Sequence, residues 1–174
     1  MKVRVLSWNI NSVRLRIDSL LSIIKEYRPN VVCIQETKCP NDQYPYEEFH
    51  KVGLKNVHSN GIKGYHGVSI ATDLDVKKVE QKNFCGKRDG RHLALTLNTN
   101  NTPITIHNFY VPAGGDEPDP KINDKFKHKL DFLNEATDWF SSRKNRKDLL
   151  LLVGDLNIAP HENDVWSHKQ LLKI

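Results

Sequence analysis

The chain has 174 residues, 38% of them hydrophobic, and a formal net charge of +5 from 26 Lys and Arg against 21 Asp and Glu. That is enough apolar content for one domain with its own core, and it excludes a disordered chain. The longest apolar runs reach five or six residues, which excludes a membrane-spanning helix. Cys33, Cys39 and Cys85 form no C-x-x-C pair, so reduced thiols are expected in place of a disulfide framework or a zinc site. Met1-Lys2 leads straight into a strand pattern without a signal-like apolar region, and the expected location is cytoplasmic.

In chain order, KVRVLSWNIN (2–11) reads as a strand ending on polar residues. A helix follows, with Val13, Ile17, Leu20, Leu21, Ile24 and Tyr27 at helical spacing, Asn11 or Ser12 as its cap and Pro29 as its stop. NVVCIQET (30–37) is a second buried strand, whereas 38–62 carries no clear period. GYHGVSIAT (64–72) and VKKVEQK (76–82) read as strands, and LALTL and ITIHNFY as a hairpin around a polar turn at 98–103. After an acidic, proline-containing loop at 113–121, Phe126, Leu130, Leu133, Thr137 and Phe140 mark an amphipathic helix over 124–143. LLLLVGDLNIAP (149–160) begins as an apolar run of the kind expected of a central strand covered on both faces, and HKQLLKI at the end is weakly helical. The pattern is α/β with antiparallel hairpins, not a purely parallel sheet.

The chemistry collects at strand ends. The first strand finishes at Asn9 and Asn11, the second at Gln35 and Glu36, ITIHNFY at Asn108 and Tyr110, and the apolar run at Asp155 and Asn157. Residues two apart on an extended chain share a side, so Asp155 and Asn157 are expected to project together. Convergence of these ends gives a pocket of two carboxylates, several amides and a phenol. Such an oxygen-donor set suits Mg²⁺, with Mn²⁺ as the alternative, and not zinc. Basic residues gather at Lys77, Lys78, Lys82, Lys87, Arg88 and Arg91 and in KFKHK (125–129), which with the net charge fits a polyanionic partner or a solvated surface.

SWNINSVR (7–14), CIQETK (33–38), GYHGVSI (64–70), NFYVPAGG (108–115) and GDLNIAP (154–160) occur in the order and spacing of the exonuclease III family, and nearly the whole chain resembles it. These are apurinic/apyrimidinic endonucleases of the endonuclease/exonuclease/phosphatase superfamily. The resemblance implies a four-layer α/β sandwich, a divalent metal and double-stranded DNA with abasic or 3′-blocked sites. By motif, Glu36 with Asn9 would hold the metal, Asp155 would orient or deprotonate the attacking water, and Asn157 and Tyr110 would engage the scissile phosphate. Lys87, Arg88 and Arg91 fall on a segment that in the family lies near the nucleic acid. The implied reaction is hydrolysis 5′ to an abasic site leaving a 3′-hydroxyl, with 3′-end trimming as a related activity.

Two departures bear on this. The family often places a polar residue in the loop where this chain has Ala113-Gly114-Gly115. Family members also run past residue 174, adding strands, a DNA-binding loop and a Ser-Asp-His motif, and Trp166-Ser167-His168 is no substitute for it. The sequence therefore reads as the N-terminal part of such a sandwich, expected to be nearly inactive as a nuclease and to carry beside 149–153 either an exposed apolar patch or a neighbouring chain that covers it. Two other readings share these residues: a catalytically silent fragment that binds DNA or a protein, and a phosphodiesterase acting on RNA or a phospholipid head group.

Overall fold

A computed structural model describes residues 2–99, 102–143 and 149–172. Two four-stranded sheets face each other. The first has the order β1-β2-β4-β3, from β1 (Val5–Asn9), β2 (Val31–Gln35), β3 (Asn56–Asn60) and β4 (Val68–Thr72). The second has the order β5-β6-β7-β8, from β5 (Val76–Glu80), β6 (His92–Leu97), β7 (Ile104–Tyr110) and β8 (Leu149–Asp155). Each sheet contains one parallel pair, β1 with β2 and β7 with β8, and the remaining pairs are antiparallel. A parallel pair needs a crossover. Helix α1 (Ile17–Tyr27) supplies the first and α3 (Asp124–Ser141) the second.

The period of two along each strand divides the core into layers. On β2, Val31 and Cys33 point between the sheets, where they meet Val68, Ile70, Leu93, Leu95, Leu97 and Ile106. Val32 and Ile34 point outward against Leu20 and Ile24 of α1 and Phe49 of α2 (Tyr46–Lys51). On the far side, Phe109 of β7 packs with Phe84 and with Phe132 of α3. The order helix, sheet, sheet, helix is the four-layer sandwich expected. No helix among the described residues is long and apolar enough to cross a membrane, and all three cysteines are free.

Several boundaries differ from the sequence reading. The first helix starts at Ile17 with Arg16 at its cap position, not at Asn11 or Ser12. The backbone N–H groups of Ser12 and Val13 instead donate to the carbonyls of Glu36 and Thr37, and this pairing holds Asn11 and Ser12 at positive φ. Tyr27, placed on the apolar face, is exposed. The strand read over 64–72 begins at Val68, because Gly64, His66 and Gly67 turn through positive φ. The segment 38–62 holds both α2 and β3. The buried stripe of α3 runs through Phe132 with Leu133, Ala136, Trp139 and Phe140, while Leu130 and Thr137 are exposed or nearly so. The short α4 (His168–Leu171) agrees with the weak helical signal, and residues 100, 101, 173 and 174 of the expected turn and final helix lie outside the described residues.

The largest difference concerns β8. Among the described residues it pairs only with β7 and forms the edge of its sheet, not the centre. Leu149, Leu150 and Leu152 are 57%, 46% and 45% exposed. The expected apolar patch is therefore present, and it continues over Leu156 and Ile158 into a groove against Leu133, Ala136 and Phe140 of α3.

Beneath α3 lies a buried histidine pair. His92 accepts a hydrogen bond from the Lys82 backbone N–H at Nδ1 (3.1 Å), so its Nε2 carries the proton and donates to His107 Nδ1 (3.0 Å). Trp139 meets both rings edge-on. Burial, reinforced by the neighbouring His107, pushes His92 down to about 3. A base whose folded value is depressed contributes stability above its unfolded value, near 6.5, and that contribution is lost as pH falls below it. Resistance to urea is expected to decline from about pH 6.5 downward, by about 1.4 kcal/mol per pH unit for His92 alone. Glu80, held low by Arg143 and Lys78 despite its burial, loses its contribution only below its ordinary 4.5. His92→Phe should flatten the slope between about pH 6.5 and 5, and an identical slope in that variant would contradict this account.

Candidate active site

The two parallel pairs bring their C-terminal ends to one end of the sandwich. Register sets Asn9 beside Gln35 and Tyr110 beside Asp155. Two side chains, Asn9 and Tyr110, tie the sheets together there. The Asn9 amide nitrogen donates to Glu36 Oε1 (2.9 Å) and to Asp155 Oδ2 (2.8 Å). The Tyr110 hydroxyl donates to the same Glu36 Oε1 (2.9 Å), and Lys38 Nζ lies 3.0 Å from Oε2. Asn9, Glu36, Tyr110 and Asp155, from four different strand ends, thus share one half-buried network.

The local backbone is built for this. Glu36 has φ of 53°, which swings its side chain out of the β2 alternation. Gly154, with φ of 132°, lets β8 pass close to β7 just before Asp155: a Cβ there would lie 2.0 Å from the Phe109 carbonyl oxygen. Behind the site, Asn108 is fully buried and spans the sheets. Its amide nitrogen donates to the carbonyls of Ile34 and Ser69 (2.9 Å each), and its oxygen accepts from Gln35 Nε2 (2.7 Å).

Asn157 does not project alongside Asp155 as the extended spacing implied. The chain turns after β8, with Asn157 at φ of 50°. The Asp155 carboxylate accepts from the Asn157 backbone N–H (3.0 Å), while the Asn157 carboxamide donates to the Val111 carbonyl (2.8 Å). Lys129 Nζ donates to the Asn157 carbonyl. Neither Lys38 nor Lys129 was singled out from sequence as a site residue; Lys129 sits within the KFKHK run, on the first turns of α3.

Burial opposes ionisation of Glu36, but the Asn9 amide, the Lys38 ammonium and the Tyr110 hydroxyl outweigh it and hold its carboxyl below the ordinary range. Burial and the adjacent Glu36 push the Tyr110 phenol up to about 12, so it stays protonated and donates. Burial also lowers Lys129, against the pull of Asp155. Among the described residues no three His, Cys, Asp or Glu side chains form a metal cluster. The donor set of two carboxylates and a carboxamide still fits a hard divalent cation, which commonly takes one or two carboxylates and completes its shell with water and phosphate.

The three basic residues separate. Lys87 and Arg88 are exposed on the loop before β6. Arg91 is nearly buried and bonded to Asp89, His66 and the Tyr110 carbonyl. A cleft of 430 Å³ opens beside Tyr110, lined by His66, Lys87, Arg91, Gly114, Lys125 and His128 among others.

A sequence profile described as the Endonuclease/Exonuclease/phosphatase family matches residues 6–173. Over 165 residues the chain is 28% identical to exodeoxyribonuclease III of Haemophilus influenzae, covering 94% of this chain and 60% of that one. It is 25% identical over 171 residues to an exodeoxyribonuclease of Bacillus subtilis, covering 96% and 63%. The chain thus spans less than two thirds of the length of either relative. Among solved structures, an AP endonuclease from Archaeoglobus fulgidus superposes with a TM-score of 0.79 at 25% identity, over 99% of this chain and 70% of that one. A 3′-5′ exonuclease from Neisseria meningitidis does so with a TM-score of 0.82 at 24% identity, over 97% and 63%. With the profile matching nearly its full length and two facing sheets of the same architecture, the chain belongs to the Endonuclease/Exonuclease/phosphatase family.

Proposed function

We propose that this chain carries the catalytic strand ends of a Mg²⁺-dependent DNA-repair phosphodiesterase, which cleaves 5′ to abasic sites and also acts at 3′ ends. The observation that carries the reading is the single Asn9 amide held between the carboxylates of Glu36 and Asp155, with the Tyr110 hydroxyl on the same Glu36 oxygen. Similarity to an exodeoxyribonuclease III and to an AP endonuclease structure supports a DNA substrate over RNA or a lipid head group.

Glu36 and Asn9 would hold Mg²⁺, or Mn²⁺ in its place, and the ion when bound supplies positive charge against the phosphate. Asp155 is fixed by Asn9 on one oxygen and by the Asn157 backbone on the other, and so is oriented to take a proton from the attacking water. The water oxygen bonds to phosphorus, the bond from phosphorus to the 3′-oxygen breaks, and that oxygen takes a proton from solvent water to leave as a hydroxyl. Tyr110 keeps its single hydroxyl proton, which it gives to Glu36, and would donate to a phosphate oxygen only by turning from that carboxylate. Asn157 has one amide hydrogen beyond the one given to Val111 with which to hold the same phosphate.

The test is an abasic duplex with and without Mg²⁺, together with Mn²⁺-induced broadening of the Asn9, Glu36 and Asp155 resonances. The expected product is a slowly formed nick 5′ to the abasic residue bearing a 3′-hydroxyl, abolished by chelation and shifted to higher Mg²⁺ concentration by Glu36→Gln. Duplex binding with neither a Mg²⁺-dependent nick nor broadening at Glu36 would favour the silent binder.

Lys87 and Arg88 are free to meet phosphates. Each phosphate contact adds about 0.9 to the slope of log affinity against log salt. The double change Lys87→Ala, Arg88→Ala is expected to weaken duplex binding without altering sequence preference and to reduce that slope by about 1–2. An unchanged slope would assign both to ordinary surface.

A further inference from the structure

Arg91 is nearly buried, and each of its three guanidinium nitrogens has a partner within the protein. Its Nε donates to Asp89 Oδ2 (2.6 Å), one terminal nitrogen donates to the Tyr110 carbonyl (3.2 Å), and the other lies 3.0 Å from His66 Nε2. The guanidinium carbon sits 5.0 Å from the centre of the Tyr110 ring. The Tyr110 backbone N–H also donates to the Arg91 carbonyl (2.9 Å). One residue therefore grips Tyr110 at its amide, its carbonyl and its ring face. The ring's hydroxyl, at the far end, reaches Glu36.

A guanidinium has donors only, so His66 Nε2 must accept, and His66 carries its proton on Nδ1 and is neutral. The His66 ring packs 5.9 Å from the Tyr110 ring. Asp89 anchors the assembly, with His128 Nε2 3.7 Å from the same oxygen that accepts from Arg91. The planar fork of arginine fits all three directions at once; the ammonium of lysine is a point charge and cannot.

We infer that Arg91 is a positioning residue that fixes the Tyr110 ring so that its hydroxyl meets Glu36, and that it does not contact DNA. Its effect on catalysis rests on the reading proposed above, but its effect on Tyr110 does not.

The experiment uses the chain labelled with 3-fluorotyrosine, with the Tyr110 resonance assigned by Tyr110→Phe, and compares Arg91→Lys, Asp89→Asn and Lys87→Ala. Asp89→Asn removes no cation and weakens the anchor of the Arg91 guanidinium by taking away the carboxylate's charge. Positioning predicts that Arg91→Lys and Asp89→Asn both move or broaden the Tyr110 resonance, and that Lys87→Ala leaves it unchanged. Arg91→Lys is then expected to keep the salt slope of duplex binding, and Asp89→Asn not to tighten binding. An unmoved Tyr110 resonance in Asp89→Asn and in Arg91→Lys overturns the inference, as does tighter binding in Asp89→Asn with a steeper salt slope. If no variant, Lys87→Ala included, shows measurable DNA binding, the functional reading fails while the fluorine signal still decides the role of Arg91.

Discussion

Replacing Asn108 with alanine is expected to cost about 2–5 kcal/mol of stability. The side chain is fully buried between the sheets, far from water that could take its place. Its loss removes a donor from the carbonyls of Ile34 and Ser69 and the acceptor of Gln35 Nε2. Each buried polar group left without a partner costs about 1–3 kcal/mol. Gln35 retains weaker contacts to Ser7 Oγ and the Cys33 carbonyl, which keeps the sum below three full penalties. Because a domain of this size holds roughly 5–15 kcal/mol in total, the variant should show a large drop in urea midpoint. A shift equivalent to less than about 1 kcal/mol would mean that water or a rearranged Gln35 replaces the amide.

Asp155→Asn is expected to lower Mg²⁺-dependent cleavage by about 10²–10⁴-fold while leaving duplex affinity nearly unchanged. The carboxylate accepts from Asn9 on one oxygen and from the Asn157 backbone on the other. A carboxamide has one oxygen, so it can serve only one of these donors, and it cannot take a proton from water. Glu36→Gln differs in its signature, because it removes the negative charge that the metal would meet and should raise the Mg²⁺ concentration needed. Equal loss of affinity and rate in Asp155→Asn would place this residue in substrate binding instead of proton transfer.

The sequence made the strand ends legible because a polar residue at the end of an apolar run is a local signal. Asn9, Glu36, Tyr110 and Asp155 all stand at such positions. What it did not reveal depends on partners distant in the chain. The apolar run at 149–153 looks central, yet exposure of Leu150 and Leu152 is decided by what lies beside β8, not by the leucines. Asn11 and Ser12 look like helix caps, but the Glu36 and Thr37 carbonyls capture that backbone first. Arg91 looks like its neighbours Lys87 and Arg88; only the positions of Asp89, His66 and Tyr110 distinguish it. Strand β3 carries His, Ser and Asn and shows no apolar alternation, so no period marks it.

Each sheet is drawn from one continuous stretch of chain: every strand of the first lies before residue 73, and every strand of the second after residue 75. During synthesis, the first sheet can be complete while most of the second is still unmade, as N-terminal units commonly fold first. Neither stretch holds the chemistry alone. Asn9 and Glu36 belong to the earlier one, Tyr110 and Asp155 to the later. The network therefore comes into being only when the sheets dock, and a change that loosens their docking would scatter the four side chains while leaving every strand intact.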